Sequence, residues 1–155
     1  MKLQGGNTLE GFNVPEYFEN SSISYNGVTE PSEFKFLYLA MVLVNNTIDA
    51  SPPSMRILPL NIYFVEDITS TFLMDFKVDV FGCFNQSIIF LLSNWRTFGL
   101  SEFEILFAMV EELCHAVWQI PDGPEIENKV TEVFRQLDSN FSYHEIMEIM
   151  DTFRH

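Results

Sequence analysis

Between Ser101 and Gln119 apolar residues return at helical spacing, and at 3.6 residues per turn Phe103, Leu106, Phe107, Val110, Leu113, Cys114 and Val117 fall on one stripe. Ser101 followed by Glu104 forms a capping box that fixes where this helix begins. A helix with so broad an apolar stripe is held by packing rather than by propensity, so the remaining segments must supply a layer to cover it.

Those segments predict an α+β domain. Pro31-Ser32-Glu33 opens a helix through Val44, with Phe34, Leu37, Met41 and Val44 at helical spacing, Ser32 as N-cap and an end near Asn45-Asn46. Asp49 to Ser54, with Pro52-Pro53, is a loop, and Arg56 to Val65 follows as a β-rich run. Pro59 places the first half of that run at an edge or outside the ladder. Met74, Phe76, Val78 and Val80 alternate with Asp75, Lys77 and Asp79, the period of a strand with one wet face. Ser87 to Leu92 is a continuous apolar strand closed by Ser93-Asn94.

Beyond the central helix, Pro121-Asp122-Gly123-Pro124 breaks the chain, and Pro124 at N1 starts a helix through about Leu137. Ser142 and Glu145 form a second capping box for a last amphipathic helix with Ile146, Ile149, Met150 and Phe153 inward. Residues 1–30, rich in Gly, Asn, Ser and Glu, read as an irregular N-terminal arm. The expected architecture is thus an N-terminal helix, a small three-stranded sheet, the central helix and two further helices, with residues 31–155 as a single domain.

Length and composition agree: 155 residues with 47% hydrophobic side chains and 16 Phe suit one core and exclude disorder for most of the chain. The longest apolar run, Phe36 to Val44, is nine residues, against the roughly 20 that a bilayer requires. Met1 to Asn7 lacks the apolar core of a secretory signal, so the expected location is the cytoplasm and no membrane partner is expected. Cys83 and Cys114 offer neither a paired metal spacing nor a disulfide framework and are expected as free thiols. The formal net charge is −14, and from Glu102 to Asp151 twelve acidic residues face Lys129 and Arg135 alone. Such a field repels nucleic acid and favours a basic protein partner, although acidic faces also serve plain solubility.

Only one segment looks like chemistry. Glu111-Glu112-Leu113-Cys114-His115 is one side chain away from His-Glu-x-x-His, in which two residues four apart grip one metal from adjacent turns and the Glu between them activates the bound water. Glu111 and His115 fall on the rim of the apolar stripe, with Glu112 further round. No Gly-rich phosphate loop, Gly-x-Ser-x-Gly elbow or second Glu-x-x-His for a di-iron bundle is present.

With a helix, a small sheet, the motif helix, a break and then a carboxylate-bearing helix, Ser32 to Leu137 resembles the minimal core of gluzincin-type (minigluzincin-like) metallopeptidases. The resemblance implies Glu112 as general base and His115 as second metal ligand, with Glu111 standing where the first His belongs. It also implies a third ligand on the following helix, with Glu127 preferred, Glu125 next, and Glu132 not separated from them by spacing. Zinc is the metal it implies. A second carboxylate would weaken that metal as a Lewis acid and shift the site toward Mn²⁺ or Ca²⁺. His115 fits equally well as a partly buried imidazole whose ring nitrogens are satisfied by neighbours. The expectation is therefore a zincin-like domain with a degenerate site, acting by binding a protein partner. The alternatives are an active metal-dependent peptidase using Glu112, and an acidic nucleic-acid mimic that inhibits a nucleic-acid-binding protein.

Overall fold

The computed structural model describes residues 2–4, 14–26, 30–66 and 86–153. In chain order they form β1 (Lys2–Gln4), a 3-10 turn (Glu16–Phe18), β2 (Ser22–Asn26), α1 (Pro31–Ala50), β3 (Leu60–Val65), β4 (Gln86–Leu91), α2 (Leu92–Phe98), α3 (Glu102–Trp118), α4 (Pro124–Phe134) and α5 (Tyr143–Phe153). The strands make a parallel sheet in the order β1-β2-β3-β4. The fold is α+β, as expected, but the sheet is recruited differently.

Residues 1–30 are not simply an irregular arm. They supply β1 and β2, and β2 pairs with β3 over Ser22 to Asn26. Alternation explains it: Ile23 points to the core while its neighbours Ser22 and Ser24 take the other face, where the Ser22 hydroxyl donates to Asn61 Oδ1 at 2.7 Å. The strand expected at Met74 to Val80 lies outside the described residues. Strand β3 begins at Leu60, and Pro59 just before it, lacking an N–H, contributes only its carbonyl, which accepts from the Gln86 N–H at 3.4 Å.

Ser93-Asn94 does not close a strand into a loop. The chain turns directly into α2, which Gly99 ends in the left-handed conformation at φ 61°. Helix α1 runs six residues past Val44, to Ala50, because its last turn is buried: Thr47 and Ile48 pack inward, and the Gln136 amide donates to Leu43 O and Thr47 Oγ1, both at 2.8 Å. Its N-cap is Glu30 rather than Ser32, with Pro31 at N1 and the Glu33 carboxylate accepting from the Glu30 N–H at 2.8 Å.

One sheet face, through Ile23, Ile62, Phe64, Ile88 and Phe90, joins the core built by Leu37, Met41 and Val44 of α1 and Phe107, Val110 and Leu113 of α3. Helix α4 adds Ile126, Val130, Val133 and Phe134, and Phe141 stacks on Phe134 with ring centroids 4.7 Å apart. Tyr143, Ile146 and Met147 seat α5 on this layer; Ile149, Met150 and Phe153 have side chains outside the described set. Among the described residues no helix is long and apolar enough to cross a membrane.

Candidate functional site

Helix α3 begins where its capping box puts it. Ser101 Oγ accepts from the Glu104 N–H at 3.3 Å, and the Glu104 carboxylate accepts from the Ser101 N–H at 2.6 Å. From that fixed start the pentad occupies the last two turns of the helix, with Leu113 and Cys114 in the core, Glu111 and His115 half-buried and Glu112 exposed. Burial holds the Cys114 thiol far above its usual range, so it is an inert apolar filler.

The end of the helix decides what His115 does. Gln119 adopts the left-handed conformation at φ 55°, reversing the chain so that the Ile120 carbonyl returns to the last turn. The His115 Nδ1–H donates to that carbonyl at 2.6 Å, and Nε2 lies 3.4 Å from the Asp122 carboxylate. A histidine oriented through Nδ1 by a backbone carbonyl is also how metal-binding imidazoles are held, and here the other nitrogen faces the fully exposed Asp122.

Glu111 turns the opposite way. Its carboxylate accepts the Tyr143 hydroxyl at 2.5 Å, joining α3 to α5. Burial first, and then the Glu111 carboxylate, hold the Tyr143 phenol well above its usual range. Glu112 keeps its proton to higher pH than an ordinary carboxyl; partial burial is the leading cause, Glu111 and Asp122 add to it and His115 opposes it.

Glu125 and Glu127 sit 200° apart around α4 and so serve different surfaces. Glu127 is on the pentad's side, where its charge and that of Asp122 act on Tyr143. Glu125 faces away, into a notch shared with Trp118, Asn128, Lys129 and Glu132. Of the two alternative third ligands only Glu127 is thus on the pentad's side; Glu111 is taken by Tyr143 and His115 by the Ile120 carbonyl, and among the described residues no three His, Cys, Asp or Glu side chains are grouped to hold a metal ion.

Two residues that the sequence did not bring forward complete this region. Tyr143 lies between Ser142 and Glu145, whose spacing says nothing of its side chain, yet it is the partner of Glu111; its distance of 32 positions gave no local signal. Trp118 carries no sequence signal of its own, yet its indole N–H donates to Ser51 O at 3.0 Å and one ring face carries Lys129 Nζ at 4.7 Å from the centroid. The Lys129 to Glu132 spacing was the one visible hint of that arrangement.

Comparison of the chain with protein-family models, with curated proteins and with solved structures finds no match.

Proposed function

We propose that this chain is a binding protein that presents the acidic surface of α3, α4 and α5 to a basic protein partner, and that its metallopeptidase-like pentad now holds the fold together. The observation that carries this reading is the disposition of the carboxylates. Of the twelve acidic residues from Glu102 to Asp151, nine are exposed, while Glu104 is buried in its cap, Glu111 is half-buried under Tyr143 and the Asp151 side chain is undescribed. Their counter-charges are few. Lys129 is engaged by Glu132 at 2.6 Å, which leaves Arg135 as the other cation of the segment.

Glu112, Asp122 and Glu127 lie on the pentad's side of the α3–α4 turn and Glu125 on its other flank, so a complementary surface would be steered in by their summed field and lose affinity with salt. A zincin-like ancestry accounts for the Glu-Glu-x-x-His spelling on such a helix. The contacts that Glu111 and His115 make with Tyr143, Ile120 and Asp122 give both residues a structural role that survives the loss of a metal.

The test is affinity capture from source cells with the wild type and with the triple variant Glu112→Gln, Glu125→Gln, Glu127→Gln. A basic partner lost in the variant, and bound more weakly as salt is raised, is expected. Zinc-dependent peptide cleavage that disappears in Glu112→Gln would replace this reading with the peptidase one.

A further inference from the structure

On the face of α4 turned away from the pentad, Trp118, Ile120, Glu125, Asn128, Lys129 and Glu132 line an open notch of about 330 Å³. Its walls are fixed by the hydrogen bond from the indole to Ser51 O at 3.0 Å and by Lys129 Nζ, which donates to Ser51 Oγ at 3.0 Å and to Glu132 at 2.6 Å. One ammonium thus already lies on a Trp118 face, and one carboxylate is already paired. Glu125 makes no ion pair among the described residues, and the Asn128 amide stands one turn further along the same side of α4. With two carboxylates against one ammonium, the lining carries a formal charge of −1.

We propose that this notch receives an arginine side chain of the basic partner, an inference that rests on the binding role argued above. The chemistry favours arginine over lysine. The point-charge position on the indole is taken by Lys129, whereas the open groups are a carboxylate, an amide oxygen and apolar walls from Trp118 and Ile120. A guanidinium can donate to Glu125 and Asn128 from its planar fork while lying flat on an apolar wall; an ammonium satisfies one of these at a time. Glu132 offsets the Lys129 charge that would otherwise oppose a second cation.

The experiment is a titration of the ¹⁵N-labelled full chain with two capped heptapeptides of alternating Gly and Arg, or Gly and Lys, which have equal charge. The Trp118 indole N–H, assigned with Trp118→Phe, reports the notch, and Trp95 serves as the control. The arginine peptide is expected to shift the Trp118 signal saturably and to bind about fivefold or more tightly than the lysine peptide. Glu125→Gln should abolish that preference and leave the rest of the spectrum in place. Equal, salt-sensitive binding of both peptides with Trp118 unmoved overturns the notch and leaves the acidic-face reading standing. If neither peptide binds at low salt, both readings fall.

Discussion

Tyr143 on α5 donates its hydroxyl to the Glu111 carboxylate on α3 at 2.5 Å, so Glu111, which the proposed resemblance would make a metal ligand, ties the last helix to α3. The Tyr143 ring also packs on Phe107, with centroids 5.3 Å apart, and Tyr143→Phe would keep that contact while deleting the bond. The expected loss is about 1–2 kcal/mol, read from the urea midpoint. The pH dependence has a definite sign. The folded phenol titrates above its unfolded value of about 10, so its stabilisation is fully present below pH 10 and fades as pH rises beyond it. Wild type should therefore lose stability faster than Tyr143→Phe above that pH. Parallel curves would place the hydroxyl outside the fold's energetics.

His115 gives the sharpest separation between a metal site and a helix stop. If its role is to bind the returning Ile120 carbonyl, His115→Ala costs about 1–2 kcal/mol by leaving a backbone acceptor unpaired, and chelator leaves the wild-type melting curve unchanged. Added zinc should then act alike on both proteins. A true site with zinc at 100 times its dissociation constant would instead stabilise wild type by about 2.7 kcal/mol, an effect lost in His115→Ala. Calorimetry with and without zinc distinguishes the two outcomes.

The parts of this domain that were legible in the sequence are those with local signals. The capping box of α3, the Pro124 start of α4 and the start of β3 only after Pro59 are each written within four residues. Strand β2 was hidden because its period of two spans only Ser22 to Asn26, with Gly27 beside it, and its partner Leu60–Val65 lies some 40 residues away. The last turn of α1 was hidden for a related reason: Asn45-Asn46 argues for a stop, and it is burial of Thr47 and Ile48 together with the contact from Gln136, about 90 positions distant, that favours a further turn. Candidate ligands were legible as residue types on a helix face. Where each side chain turns was not, because Tyr143 and the Gln119 reversal decide it from elsewhere.

Glu112 carries a prediction that separates catalysis from stability. Its folded carboxyl titrates above the unfolded value, so its favourable contribution exists in acid and is lost as pH rises through the folded pKa. Glu112→Gln should consequently unfold at a slightly higher urea concentration than wild type at pH 7, with the gap closing as the pH falls toward the ordinary carboxylate range. The effect is small because the side chain is exposed. The same variant would abolish any peptidase activity that depends on this carboxylate. A variant less stable than wild type at pH 7 would mean that ionised Glu112 makes a favourable contact.

At the other end of the molecule Arg96 of α2 donates to both Glu66 oxygens at 2.8 and 2.9 Å and lies 3.3 Å from Glu33 of α1. Glu33 is 5% exposed, and burial raises its pKa against the opposing influences of the Glu30 N–H and of Arg96. Removing the guanidinium in Arg96→Ala strands that carboxylate. The cost should be about 1–3 kcal/mol at pH 7, between the values for exposed and buried pairs, because Arg96 itself is only partly covered. Without Arg96 the Glu33 pKa rises further, so the variant gains on wild type as protonation relieves the buried charge. That recovery should grow as the pH is lowered from 7 toward the ordinary carboxylate range. Urea unfolding of both proteins across this range measures it, and a deficit independent of pH would assign the role of Arg96 to Glu66 and packing instead of Glu33.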